Sequence, residues 1–228
     1  MFLPSLPKTP TRRLRGFSLI ELLAVIAIIS ILMTVAAIGV GGIMSGKGVT
    51  SGVATAESIF DEARSAAVSK RTRARVLVDV TDPKDRENYL RRMLVVYEEL
   101  DDDGNVVKDN WVLAGRAFLL PEQTFFSKEF SRRDQSAGTE LEQMTLSKVN
   151  RTFQGNYFYY EFNGEGISTN PGASFIIGTG AREINAEKPR ATESTKRDFG
   201  GLIVWRNGRT SVFRNPDQMN IPSEVRYF

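Results

Sequence analysis

The feature that most limits what this chain can become is an uncharged run over residues 22–40, in which only Ser30 and Thr34 are polar. At about 1.5 Å per residue, a helix of that length spans roughly 28 Å, close to the ~30 Å hydrocarbon core of a bilayer. Lys8, Arg12, Arg13 and Arg15 precede the run, with no acid among residues 1–16. The positive-inside rule therefore keeps 1–16 in the cytoplasm and sends the C-terminal part across the membrane. A secretory signal peptide would carry a shorter apolar region followed by a small-residue cleavage site. Here the run is too long, and the candidate processing point comes before it.

Glu21 lies inside the apolar stretch 17–44. A carboxylate in a membrane segment costs about 2.5–3.5 kcal/mol at the helix centre and less near an end. The α-amine of a processed chain, from the same or a neighbouring subunit, would be a suitable partner, and Gly16-Phe17 is where such an end could be made. A plain interfacial charge that snorkels to the membrane surface is the alternative. The string Arg15-Gly16-Phe17-Ser18-Leu19-Ile20-Glu21-Leu22-Leu23 resembles the processing site of type IV pilins and type II secretion pseudopilins. That resemblance implies cleavage between Gly16 and Phe17 by a membrane aspartyl peptidase. It also implies N-methylation of Phe17 to N-methylphenylalanine, and a role for Glu21 as the carboxylate of subunit docking. The implied partners are the prepilin peptidase/methyltransferase, other pseudopilins or pilins, an inner-membrane assembly platform and membrane lipid. The implied location is the bacterial inner membrane, crossed once, with the C-terminal domain in the periplasm.

Two features depart from the usual pattern. The 16-residue leader is long, and no proline occurs between residues 11 and 82. In place of a mid-helix proline there are glycines at 39, 41, 42, 46 and 48, each costing a helix about 1 kcal/mol relative to alanine. The cluster reads either as a stretch that melts on filament packing or as a linker between the span and the soluble domain.

The formal charge of +3 misleads, because four of the 30 basic residues sit in 1–16. The remainder holds 26 basic against 27 acidic residues, which gives little support to a nucleic-acid partner. The chain has no cysteine and no histidine. That removes disulfides, thiolate nucleophiles, Ser-His-Asp catalysis and most zinc or copper sites. Gly46-Lys47-Gly48 lacks the preceding strand and the Gly-Lys-Ser/Thr ending of a phosphate loop. No catalytic constellation emerges, no cofactor is implied, and the chain reads as the substrate of an enzyme and not as an enzyme.

Beyond the apolar run, Val53, Ala56, Phe60, Ala63 and Ala67 follow 3,4 spacing and predict an amphipathic helix over 50–70 that packs on a sheet. The rest reads as strands. Ala74, Val76, Val78 and Val80 alternate with Arg75, Leu77 and Asp79, and a polar loop at 81–88 precedes a second strand at 90–97. Asp101-Asp102-Asp103-Gly104-Asn105 predicts a hairpin turn before a strand at 106–113. Asp101 and Asp103 are weak candidates for Ca²⁺, since the spacing lacks the distal glutamate of an EF-hand. A Leu-Pro step occurs at 120–121, and 127–152 reads as a polar insertion with one short helix. An aromatic strand is expected at 156–162, with core packing favoured over base or sugar stacking. A short strand follows at 175–177, then a charged insertion at 181–198. A hairpin about Asn207-Gly208 follows, and the last fifteen residues show no pattern.

The expected fold class is α+β: a long N-terminal helix, membrane-spanning in one half and amphipathic in the other, packed on an antiparallel β-domain. The expected divisions are a leader at 1–16, an apolar helix at 17–44, an amphipathic stem at 45–72 and a β-rich domain at 73–228. The Leu-Pro step, the aromatic strand ending in Asn163-Gly164 and the final Trp205-Arg206-Asn207-Gly208-Arg209 hairpin are similar to the H-type minor pseudopilins (GspH/FimT-like), which hold two antiparallel sheets against the helix. That resemblance implies a minor subunit of a type II secretion pseudopilus supporting protein export. The alternatives are a minor type IV pilin for adhesion, motility or DNA uptake and, from another class, an unprocessed single-span membrane-anchored binding protein.

Overall fold

The computed structural model describes residues 19–191 and 198–228. Contacts divide the chain into two units, Met1–Gly42 and Ile43–Phe228. One helix, α1, runs from Leu19 to Lys70, and the five glycines of the cluster fall within it. It ends in a Schellman cap. Arg71 adopts a left-handed φ of 52°, the Thr72 N–H donates to Ala67 O, and the Arg71 N–H donates to Val68 O. These bonds satisfy carbonyls that the last turn would otherwise leave bare.

The chain then enters β1 (Ala74–Asp79), the central strand of an antiparallel sheet. On one side lies β2 (Arg92–Leu100), followed by β3 (Val106–Leu113) at the edge. The two-residue β4 (Phe118–Leu119) pairs with the start of β2. On the other side lie β7 (Gly155–Phe162) and then β6 (Gln143–Leu146). The second sheet is built on β8 (Ala173–Ala181), with β5 (Thr124–Phe126), β10 (Phe199–Val204) and β11 (Thr210–Phe213) in the order β11-β10-β8-β5. The short β9 (Arg190–Ala191) pairs with the end of β8. The class is α+β, with one helix and two antiparallel sheets among the described residues.

The helical stripe read from spacing is the stripe that is buried: Val53, Ala56, Phe60, Ala63 and Ala67 are all 2% exposed or less. Phe60 joins the two sheets. Its ring makes edge-on contacts with Tyr160 of β7 at 5.1 Å and with Phe175 of β8 at 5.7 Å, geometries that suit aromatic quadrupoles. Close approach of helix to sheet depends on Gly52, where a Cβ would lie 2.7 Å from Ile177 Cδ1 and 3.4 Å from Pro121 Cδ.

Ala74, Val76 and Val78 of β1 face this core. Leu77 belongs to a second buried cluster with Leu94, Val96, Trp111, Leu146 and Tyr157. Both faces of the first sheet are therefore covered. That explains why strands 74–79 and 155–162 carry large apolar side chains at both parities.

Three expectations are corrected, and the C-terminal residues add to the core. The second strand starts at Arg92, because Leu90 takes a φ of 60° and spends its N–H on Asp79 O. The insertion 127–152 holds a strand, β6, which pairs with β7; nearer its start the insertion is tied to β8, where the Ile176 N–H donates to Ser131 Oγ and the Arg132 N–H to Ser174 Oγ; its helical element is only a 3₁₀ turn that begins at its end, Arg151–Phe153. The charged insertion contributes β9, and 192–197 lie outside the described residues. The patternless C-terminal residues bury Met219, Ile221, Val225 and Phe228.

Candidate functional site

Gly16 and Phe17, the expected cleavage and methylation positions, lie outside the described residues. Glu21 falls within α1, but its side chain lies outside them as well. What is described beside them is the apolar surface of the helix. Leu19, Ile20, Leu22, Leu23, Val25, Ile26, Ile28 and Ile29 are all exposed, from 77% for Leu19 to 45% for Val25 and Ile29. These positions cover every side of the helix, not one stripe. A helix apolar all round needs a non-aqueous surrounding, either lipid or the same face of other helices. Within this segment the Ser30 hydroxyl donates to Ile26 O at 2.8 Å, the back-bond that satisfies a hydroxyl where water is absent. Among the described residues, no helix is long and apolar enough to cross a membrane. The expected run, 22–40, continues through positions 31–40, whose side chains lie outside the described residues.

Asp101 and Asp103 fall in the β2–β3 turn. The Asp101 carboxylate accepts from the backbone N–H groups of Asp103 (3.1 Å) and Asn105 (2.7 Å), and from Asn105 Nδ2 (3.3 Å). These bonds hold the carboxyl below its ordinary range, the Asn105 N–H contributing most. They make an Asx turn, in which the oxygens are used by the backbone. No group of three or more acidic side chains among the described residues is arranged to hold a metal ion.

A cavity of about 740 Å³ opens beside the C-terminal residues and is lined by Glu129, Phe130, Glu187, Lys188, Arg226 and Tyr227, among others. Lys188 and Glu129 pair with each other at 2.7 Å. The walls alternate in sign, so they offer no convergent polar set of the kind that fixes a small ligand.

Sequence reading missed the polar system on the outer face of the first sheet. Arg75 meets Glu161 at 2.6 Å, and Arg73 meets Glu98, Asp109 (3.3 Å) and Glu161 (3.5 Å). Arg92 pairs with Asp79 and donates to Tyr157 OH at 3.3 Å. Burial alone would raise the Glu98 carboxyl. Its bonds from Arg73 and the Asp109 N–H, with the charges of Arg73 and Arg75, more than offset this and leave it lowered. Burial and the Glu142 bond push the Tyr159 phenol up to about 12. The signal was present in the alternation of 74–79, where Arg75 and Asp79 share a parity with Leu77, but no spacing rule names their partners.

Residues 11–44 match the family model described as the prokaryotic N-terminal methylation motif. The chain thus carries a prepilin-type N-terminus and is, in that respect, type IV pilin- or pseudopilin-like. No curated protein matches the sequence. Among solved structures, the type IV minor pilin FimU of Pseudomonas aeruginosa matches at 14% identity, over 77% of this chain and 89% of that one, with a TM-score of 0.36. At that score the likeness transfers neither strand order nor function.

Proposed function

We propose that this chain is a structural subunit of a filament, a minor pseudopilin of a type II secretion system, and not an enzyme. The observation that carries the reading is the methylation motif at 11–44, joined to a helix start whose apolar side chains are exposed on every side. Residues 1–16 are the cytoplasmic leader. The prepilin peptidase cuts between Gly16 and Phe17, and Phe17 is N-methylated. The helix over 17–44 holds the chain in the inner membrane, the stem over 45–72 continues it, and the domain over 73–228 lies on the periplasmic side.

In the membrane Glu21 is protonated or paired; in the filament it receives the α-amine of a neighbour. Such a pair fixes axial register as much as it adds energy. A carboxylate at this position also argues against the tip subunit of the secretion pseudopilus, which typically lacks it.

Mass spectrometry of the protein from its native membrane tests the first step. The expected N-terminus is N-methylated Phe17; an intact leader would instead leave a single-span anchored protein. Glu21→Ala should leave cleavage intact and impair filament incorporation. Loss of the gene should halt export of secreted proteins while surface pili persist. Loss of pili with export intact would assign the chain to a type IV pilus.

A further inference from the structure

Three segments far apart in the sequence meet at the C-terminal end of α1. The Arg64 Nε donates to Gly166 O at 3.3 Å, in the turn that follows β7. Gly208, in the β10–β11 turn, packs on both residues: a Cβ there would lie 2.9 Å from Arg64 Cδ and 2.1 Å from Gly166 O. The Ser168 N–H donates to Arg206 O at 3.1 Å, which joins the two turns. Gly164 sits against the end of the helix, where a Cβ would come within 2.9 Å of Arg71 O.

This end of the domain is basic. Residues 64–71, 163–168 and 205–209 together hold Arg64, Lys70, Arg71, Arg206 and Arg209 against one acid, Glu165. Lys70 lies over the Tyr97 ring, 5.3 Å from its centre. The four arginines make no salt bridge among the described residues, and Arg71, Arg206 and Arg209 are exposed. By contrast, Arg73, Arg75, Arg92 and Arg133 each meet a carboxylate. Two exposed apolar side chains accompany the cluster, Val68 (48%) and Trp205 (47%). The Trp205 indole N–H donates to Ser211 Oγ at 2.7 Å, which fixes that ring on its hairpin. Arginine and tryptophan are the residue types that dominate binding surfaces. Side chains held in place beforehand, as Arg64 and Trp205 are, lose less entropy when a partner arrives.

The chemistry selects the partner. A guanidinium fork matches a carboxylate through two parallel hydrogen bonds. A nucleic acid fits less well, because Glu165 stands within the patch. The chain beyond residue 16 also holds 26 basic against 27 acidic residues, so no long-range field draws a polyanion. We infer that Arg64, Arg71, Arg206 and Arg209 dock an acidic segment of a different protein, whose carboxylates complete the missing ion pairs. That this protein is another subunit of the same filament rests on the reading of the chain as a minor subunit, which meets chains unlike itself.

The test uses the full-length chain in non-ionic detergent and three fluorescent probes: a short peptide alternating glutamate and valine, the same peptide with lysine for glutamate, and duplex DNA. By anisotropy the acidic peptide should bind. Arg206→Glu with Arg209→Glu should weaken it at least about tenfold, and salt of about 0.5 M should weaken it too. Asp102→Lys with Asp103→Lys, in the other long hairpin, should leave it unchanged. The thermal transition of the Arg206→Glu, Arg209→Glu chain should match the parent, since both side chains are exposed and unpaired among the described residues. In the native membrane, a photo-crosslinking residue placed at Asn207 should join the chain to an acidic segment of a different protein, and the double reversal should abolish the adduct. No binding of the acidic peptide, equal binding of the lysine peptide, tighter binding of DNA, indifference to charge reversal, or a crosslink to a second copy of this chain would each overturn the inference. An intact leader in the processing experiment would remove a filament neighbour as the source of the acidic segment and leave the peptide result standing.

Discussion

Arg75 and Glu161 stand directly opposite each other on neighbouring antiparallel strands, β1 and β7, and their side chains meet at 2.6 Å. The Arg75 guanidinium also lies 4.2 Å from the Trp111 ring centre and 4.0 Å from that of Tyr159. A cation pressed on two rings and paired with a carboxylate is more strongly held than an exposed ion pair. This group closes the outer face of the first sheet, so that sheet tolerates apolar residues on both sides.

Arg75→Ala should therefore be severe. It strands Glu161, 8% exposed, with only Arg73 at 3.5 Å for compensation. The expected loss is about 3–5 kcal/mol by urea unfolding. Replacing both residues together, Arg75→Met with Glu161→Met, should cost clearly less, because no buried charge is left unpaired. A double variant as unstable as Arg75→Ala would show that the rings, and not the ion pair, hold the face.

The Glu98 carboxylate predicts a pH dependence. Its titration is lowered in the folded chain from an ordinary value of 4.5. A lowered carboxyl contributes stability that is complete above its unfolded value and is lost as pH falls through the folded one. Glu98→Gln should accordingly be less stable than the parent at pH 7, by about 1–3 kcal/mol. The gap should shrink as pH drops below about 4.5. Thermal unfolding of both proteins from pH 7 to pH 3 checks this; a gap that stays constant would rule out the charged pair as its source.

Gly52 allows two opposing effects to be weighed. Alanine would add helix propensity worth about 1 kcal/mol. Its Cβ, however, would meet Ile177 Cδ1 at 2.7 Å, the end of a side chain that can turn aside. Gly52→Ala should come out near neutral. Gly52→Val adds two methyls at the same place, with Pro121 and Thr124 already at 3.4 Å, and should cost about 1–3 kcal/mol. Chemical denaturation of the pair decides it; equal effects would mean that the helix is free to move off β8 and the 121–124 segment.

These cases mark where sequence reading succeeds and where it stops. The 3,4 spacing from Val53 to Ala67 found the buried stripe because a helix has one period and one core. Asp103-Gly104 and Asn207-Gly208 found both long hairpins, and Gly104 and Gly208 take φ of 80° and 74°, which a side chain would resist. Within 127–152 the strand β6 leaves no readable alternation, because it is four residues long and, among the described residues, pairs with β7 alone. Met219, Ile221, Val225 and Phe228 were unreadable because they are buried from irregular backbone, which imposes no period. The Arg75 group was hidden for another reason. Strand alternation says that Arg75 and Glu161 point outward, but only the β1–β7 register puts them opposite each other.

The apolar helix start gives the prediction closest to function. Leu22, Leu23, Ile26 and Ile29 are exposed in the single chain, and water does not stabilise such a surface. Ile26→Asp would place a charge in its middle at a cost of about 2.5–3.5 kcal/mol on insertion scales. Ile26→Leu changes shape alone. If lipid covers this surface before assembly, Ile26→Asp should shift the protein from the membrane fraction towards the soluble or degraded pool, while Ile26→Leu stays with the parent. The thermal transition of the unit Ile43–Phe228 should be the same in all three, since Ile26 belongs to the other unit. A membrane fraction unchanged by Ile26→Asp would mean that this surface is covered by protein from the outset, and would move the first encounter between subunits ahead of membrane insertion.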